Sequence, residues 1–433
     1  MVTGLKLQPE LMKAFEELGF SELTDIQKKT IPLILEGRDV IGQSQTGSGK
    51  TAAFGFPILE KISHQKGLQV LIVVPTRELC EQVAKEMVKF SKHKKMHVTT
   101  VYGGVSINPQ IESLRHSDIV VATPGRLLDH LRRATIKLNT VKILVLDEAD
   151  KMFEMGFIDD VKQIISQTPK ERQTLLFSAT ISDQVHDIVR QHMRNPARVQ
   201  VQSYVEKEKM RQYFYSVKSF DKFSLLVHIL KENLGGLIII FCATRRRVDV
   251  IARNLHKQGL HGEALHGGLS QSQRKKAIDM FHSNKIDILV ASDVAARGLD
   301  IKNVTIIINY DLPKTAKEYI HRIGRTARAG KEGKVISLLS EQDHDNMRSI
   351  LSDSSLAIEQ LQLPVFQKVE SLVQDRQGDR PFWQKRGERS NSSSSRYSRD
   401  SKGSRYGRSE QPRYGVHRKH YHIQRHSNSG SRQ

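Results

Sequence analysis

Cysteine is nearly missing from this chain: Cys80 and Cys242 are the two among 433 residues. Each follows an apolar run and neither has metal-ligand neighbours, so buried free thiols in a reducing compartment are expected. No apolar run approaches the ~18 residues that cross a bilayer, which argues against a membrane partner. The opening stretch MVTGLKLQPELMKAF lacks the apolar core of a signal peptide, and a cytoplasmic location is the expectation. Tryptophan occurs once, at Trp383, in a segment with few aliphatics. Acid is also in short supply. Against 68 Lys and Arg stand 47 Asp and Glu, a formal net charge of +21 and a pI of about 9.8. A charge so one-sided points to a polyanionic partner, nucleic acid first. Residues 374–433 carry 15 basic and 5 acidic side chains, about half of the excess.

What is present is a rhythm. Short β-branched runs recur in the first half: 39–44, 70–76, 97–102, 118–123, 143–148 and 174–179. The second half repeats it at 237–244, 287–293, 304–311 and 335–340. Amphipathic stretches such as RELCEQVAKEMVKFSK lie between. Strands apolar throughout, alternating with helices, predict parallel sheets covered on both faces, an α/β fold class. Ligands of such sheets bind beyond the carboxyl ends of the strands. Residues 1–203 and 212–363 read as two tandem domains, with 204–211 as a charged linker that has no strand pattern. From 364 to 433 the chain is rich in Ser, Arg and Gly and is expected to be a basic disordered tail. Trp383, Tyr397, Tyr406 and Tyr414 would let that tail stack on bases as a loose tether.

GQSQTGSGKT (42–51) follows a strand and precedes a helix. Its glycines allow backbone N–H groups to cradle phosphates, Lys50 would reach the outer phosphates, and the Thr51 hydroxyl would hold Mg²⁺. The strict phosphate-loop pattern wants Gly where Ser44 stands. LVLDEAD (144–150) ends a buried strand on three carboxylates. Asp147 suits Mg²⁺ and Glu148 could orient or deprotonate an attacking water, although acids also favour the first turns of helices. Together the two segments make hydrolysis of a nucleoside triphosphate the leading reading.

With these motifs in place, the chain resembles the DEAD-box ATP-dependent RNA helicases over roughly residues 3–345. The resemblance implies two tandem RecA-like parallel-sheet domains joined by a short linker, with ATP and RNA bound across the cleft between them. It implies an adenine-reading segment at GFSELTDIQ, with Gln27 on the base edge and Phe20 nearby; Leu23 stands where the family usually has Pro, and Ser44 where it has Ala. By the same resemblance ATP is held by Gln45, Thr46, Gly47, Ser48, Gly49, Lys50 and Thr51, and from the second domain by Gly298 and Asp300. Asp150, Ser178, Thr180 and His321 would couple hydrolysis to strand separation. RNA would be held through its backbone by Pro75, Thr76, Arg77, Gly103, Gly104, Thr123, Pro124, Gly125 and Arg126, and by Thr244, Gln271, Arg274 and Ser292, the last replacing a more usual Thr. The expected cofactors are ATP and Mg²⁺. The expected partners are single-stranded or short duplex RNA and ribonucleoprotein complexes, and the chain is expected to be a monomer.

HRIGRTARAG (321–330) shows how context decides. Alone it is a basic cluster suited equally to a nucleic acid or a phosphate. Three-residue spacing on a helix turns about 60° per step, so three arginines would fan out rather than line one row. The resemblance makes Arg325 and Arg328 the fingers on the terminal phosphate and leaves Arg322 without a role. Two other classes compete: an ATP-gated RNA clamp with slow turnover, and a DNA helicase or different phosphate-loop enzyme.

Overall fold

Val70–Val73 is apolar at every position, and the reason is two-sided burial. Val70 and Ile72 enter the core on one face of a sheet, Leu71 and Val73 the core on the other. The computed structural model of the chain describes residues 7–44, 48–64, 67–201, 210–233, 235–296, 304–326, 332–354 and 356–370. All of them fall in one unit that ends at Asp375.

The first half builds a seven-stranded sheet from β1 (Val40–Gln43), β2 (Val70–Val73), β3 (Val98–Val101), β4 (Ile119–Ala122), β5 (Ile143–Asp147), β6 (Gln173–Ser178) and β7 (Ala197–Gln200). Its order is β3-β4-β2-β5-β6-β1-β7, and every pairing is parallel. The second half builds β8 (Met210–Ser216), β9 (Leu237–Cys242), β10 (Gly262–Leu265), β11 (Ile288–Ser292), β12 (Val304–Asn309), β13 (Gly333–Leu339) and β14 (Glu359–Leu361). Its order, β10-β11-β9-β12-β13-β8-β14, repeats the first strand for strand, again all parallel. The expected pair of RecA-like sheets is therefore present. Helices cover both faces. The helix Lys50–Lys61 is buried along most of its length, and Phe15, Phe20, Phe56 and Phe90 form an aromatic cluster beside it.

Register fixes where the functional segments meet. Gln43 pairs with Ser178 and Asp147 with Phe177, so the loop after β1, the carboxylates after β5 and the turn after β6 emerge side by side. The turns after β2 and β4 emerge from the adjoining half of the same edge.

Four strands escaped the sequence reading. β10 is GEAL and β14 has three residues, both weak in β-branched side chains. β7 is a half-exposed edge strand. β8 begins at Met210, so Met210 and Arg211 belong to a strand and not to the linker; residues 204–209 lie outside the described set. The tail boundary at 364 also needs correction. Phe366 and Val369 pack on the second core, and the Val369 N–H donates to Ser224 Oγ at 3.1 Å. The rest of the presumed tail, from 371, lies outside the described residues.

Candidate active site

The phosphate loop leaves β1 at Ser44 and enters a helix at Lys50. Ser44 N–H donates to the Ser178 carbonyl at 3.0 Å, which ties the loop to β6. The buried Lys50 ammonium donates to the Ser44 carbonyl at 3.0 Å, and the Ser44 and Ser48 hydroxyls lie 2.9 Å apart. Gly49 sits at φ +89°, and a Cβ there would lie 2.5 Å from Gln27 Nε2, so only glycine fits. Gln27 donates to the Gly49 carbonyl at 3.1 Å and accepts from Thr24 N–H at 2.9 Å. The adenine-reading candidate thus already holds the loop by its backbone. Phe20, expected near the base, stacks on Phe15 with ring centroids 4.7 Å apart. Thr51 is half-buried in the first turn. Gln45, Thr46 and Gly47 lie outside the described residues.

At the end of β5 the chain turns sharply. Glu148 has φ +51°, a left-handed backbone that costs a non-glycine residue about 1–3 kcal/mol. The Asp147 carboxylate accepts the Glu148 N–H at 2.9 Å and helps hold that turn. Burial pushes Asp147 up to about 6, against the pull of Lys50. Burial works on Glu148 in the same direction, but Lys151 and Lys50 outweigh it and hold the carboxyl at about 2. Lys151 was not among the sequence candidates. Its ammonium lies 2.7 Å from Glu148 Oε1, with both side chains 3% exposed, and burial draws its own pKa down. A basic residue three positions after the acid was the signal that could have found it.

The coupling candidates converge. Asp150 Oδ2 accepts from both the N–H and the hydroxyl of Thr180 at 2.9 Å. Asp150 N–H donates to Ser178 Oγ at 3.2 Å, and that hydroxyl donates to the Thr180 carbonyl at 2.7 Å. Across from them, His321 and Arg325 line a cavity of about 210 Å³ with Lys151, Thr180 and Lys317. His321 Nδ1 is buried without a hydrogen-bond partner among the described residues, and burial, then Lys151, lowers the imidazole pKa. Lys317 pairs with Glu154, a second link between the halves.

Arg322 and Arg325 do not share a helix. The helix Ala316–Ile323 is capped by Gly324, so Arg325 lies beyond it. Arg325 is 4% exposed and adds to the positive field on Glu148. Arg322 is a brace: it grips both Asp293 oxygens at 2.6 and 2.7 Å, Asn309 Oδ1 at 2.9 Å and the Asp311 carbonyl at 2.6 Å, with its guanidinium 5.0 Å from the Phe241 ring centre. Arg328, Gly298 and Asp300 lie outside the described residues.

The backbone-binding candidates occupy helix starts and turns at the neighbouring strand ends. Pro75 is buried; Thr76 Oγ1 accepts Leu79 N–H at 3.3 Å and caps the helix Arg77–Phe90. Arg77 lies across Gly104, which has φ +82°; a Cβ there would fall 1.9 Å from Arg77 Nη1, and one on Gly103 would lie 3.5 Å from Nη2. Arg126 grips the Val105 carbonyl with two N–H groups at 3.1 Å. Thr123 and Pro124 open the helix Pro124–Arg132, and Gly125 has open space around it. In the second half Thr244 caps the helix Arg245–Lys257 through Arg247 N–H at 3.2 Å, and Ser292 ends β11. Gln271 and Arg274 both reach Glu78 Oε1, at 3.4 and 2.9 Å. That acid, next to Arg77 in the chain, was another residue the sequence reading passed over.

Comparison with known proteins agrees with this geometry. The family model for DEAD/DEAH box helicases matches residues 24–188, and that for the helicase conserved C-terminal domain matches residues 221–330. The chain is 46% identical over 366 residues to the ATP-dependent RNA helicase CshA of Listeria monocytogenes, covering 83% of this chain and 70% of that protein. It is 45% identical over 363 residues to the DEAD-box ATP-dependent RNA helicase CshA of Geobacillus kaustophilus, covering 83% and 78%. Among solved structures, S. cerevisiae Dbp5 bound to RNA and ADP BeF3 superposes with a TM-score of 0.74 at 32% identity, covering 82% of this chain and 94% of that one.

Proposed function

The chain belongs to the DEAD/DEAH box helicases and is an ATP-dependent RNA helicase, and from that premise we propose how its residues divide the work. ATP lies on the loop from Ser44 to Thr51 with Gln27 at the adenine edge, and Lys50 turns from the Ser44 carbonyl to the outer phosphates. The donor set after β1 and β5 suits magnesium: Asp147 is a buried carboxylate raised to about 6, so a cation beside it offsets the cost of its charge. Thr51 and Asp147 would hold that ion, partly through water, and the ion would neutralise phosphate charge. Glu148 orients or deprotonates the attacking water. Arg325, with Arg328, stabilises charge on the terminal phosphate.

One observation carries the coupling. The Asp150–Ser178–Thr180 network belongs to the first half, and the cavity beside it is closed by His321 and Arg325 of the second. Hydrolysis therefore waits for the halves to close, and RNA spanning both halves supplies free energy for closure. Each ligand then favours binding of the other. The RNA candidates are helix caps, backbone turns and arginines, groups that hold phosphates without reading bases. The expected work is local separation of short duplexes or remodelling of RNA–protein complexes, by a cytoplasmic monomer. ATP turnover with RNA, with DNA and with neither tests this reading: RNA should stimulate and DNA should not. Equal stimulation by DNA would make the chain a general nucleic-acid motor.

Two variants separate the parts. Thr180→Ala removes one of the two bonds to Asp150 and should cut RNA stimulation of turnover roughly tenfold while ATP affinity holds. Stimulation as in wild type would take Thr180 out of the coupling. Gly104→Val places a side chain on left-handed backbone and against Arg77. RNA affinity should fall about tenfold, about 1.4 kcal/mol, in a labelled single-strand titration, with ATP binding unchanged. An unaltered RNA titration would show that the Arg77 turn makes no contact.

A further inference from the structure

A second cluster stands at the other end of the first sheet. His97 immediately precedes β3 and Asp118 immediately precedes β4, so both sit at the amino edge, away from the carboxyl-edge site. His64 joins them from the segment between the helix Lys50–Lys61 and β2. His64 Nδ1 lies 2.9 Å, and His97 Nδ1 3.6 Å, from the same oxygen, Asp118 Oδ2. The three ligand atoms all lie within 4.8 Å of one another. The two rings are tilted at 53° with centroids 5.0 Å apart, so they share the carboxylate without stacking.

We propose that His64, His97 and Asp118 form a site for one divalent transition ion, zinc by its chemistry. Two imidazole nitrogens and one carboxylate oxygen are a borderline donor set that suits zinc and its neighbours rather than magnesium or calcium. Ligand atoms about 2.0–2.1 Å from a tetrahedral ion lie about 3.4 Å apart, between the two nitrogen–oxygen distances seen here. The ion takes the place of the proton between His64 and Asp118, which goes to solvent. The histidine side chains are 53% and 60% exposed, which leaves the fourth position to water. The carboxylate is preorganised. Asp118 is fully buried, its Oδ2 accepts the His97 N–H at 2.9 Å, and its own N–H donates to the His97 carbonyl at 3.0 Å. Two ligands thus ride on paired strands, and the third pins the segment after the helix to the sheet. The site would be structural, since every candidate for ATP or RNA lies elsewhere.

The test uses the full chain without an affinity tag, stripped of metal, and titrated with Co²⁺ as a spectroscopic probe. The tail contains His417, His420, His422 and His426, which bind metal on their own account, so the reading is a difference. Wild type should take up one equivalent more than the variant carrying His64→Ala and His97→Ala, with d–d absorbance that the variant lacks. Zn²⁺ should raise the first unfolding midpoint of wild type by a few degrees and leave that of the variant in place. His97→Ala alone should bind at least tenfold more weakly at this site. RNA-stimulated ATP turnover should be equal in all three, which also shows that the variants fold. Equal uptake by wild type and the double variant, or a zinc shift that survives in the variant, overturns the site.

Discussion

Glu148→Gln should lower RNA-saturated ATP turnover by about 10²–10⁴-fold while ATP and RNA still bind. The amide keeps the shape of the side chain and its left-handed backbone, but it accepts no proton and carries no charge. The loss therefore falls on kcat and reports a group acting in the transition state. Lys151 adds a second readout. Its ammonium is as buried as the carboxylate it pairs with, and removing one partner of a buried pair costs about 3–5 kcal/mol. Glu148→Gln should therefore also lower the unfolding midpoint of the first half, and adding Lys151→Met should return most of the stability and none of the activity. Single-turnover hydrolysis, nucleotide titration and thermal unfolding make the measurement. Turnover within tenfold of wild type would remove the carboxylate from the reaction.

Arg325→Ala should cost about 10³-fold or more in kcat, the usual worth of a cationic finger on a transferring phosphoryl group. ATP affinity without RNA should change little, because the guanidinium belongs to the half opposite the loop. Arg325→Lys should recover only a small part, since a lysine cannot reproduce a planar fork of donors. Arg322→Ala is the contrast. It strands the Asp293 carboxylate and empties a brace of four hydrogen bonds, so its effect is on the stability of the second half. A kcat loss under tenfold for Arg325→Ala would move the finger role to another residue.

Much of this was legible in the sequence, for physical reasons. Runs such as VLIVV and LIIIF are apolar on both faces, and only two-sided burial explains them; those strands stand where they were expected. The carboxyl-end rule then placed the loop and the carboxylates together, and the family resemblance added the Ser178–Thr180 turn. What was missed lacks that signature. β10 carries Gly262 and Glu263, β14 is short, and β8 mixes Arg211 and Gln212 with Tyr213, Phe214 and Tyr215, all half-buried, so it shows neither an apolar run nor an alternation. Arg322 was left without a role for a different cause. A charged residue reads as surface until tertiary structure supplies its partners, and those of Arg322 are Asp293, Asn309 and the Asp311 carbonyl.

The hydrogen bond from Lys50 to the Ser44 carbonyl has one more consequence. The loop carries its own rival for the phosphate-binding ammonium. If Lys50 serves the outer phosphates as proposed, the donor it turns to ATP is one this carbonyl holds in the free loop, and after phosphate departs that acceptor is waiting. An internal competitor of this kind lowers apparent affinity by the fraction of time it holds the cation.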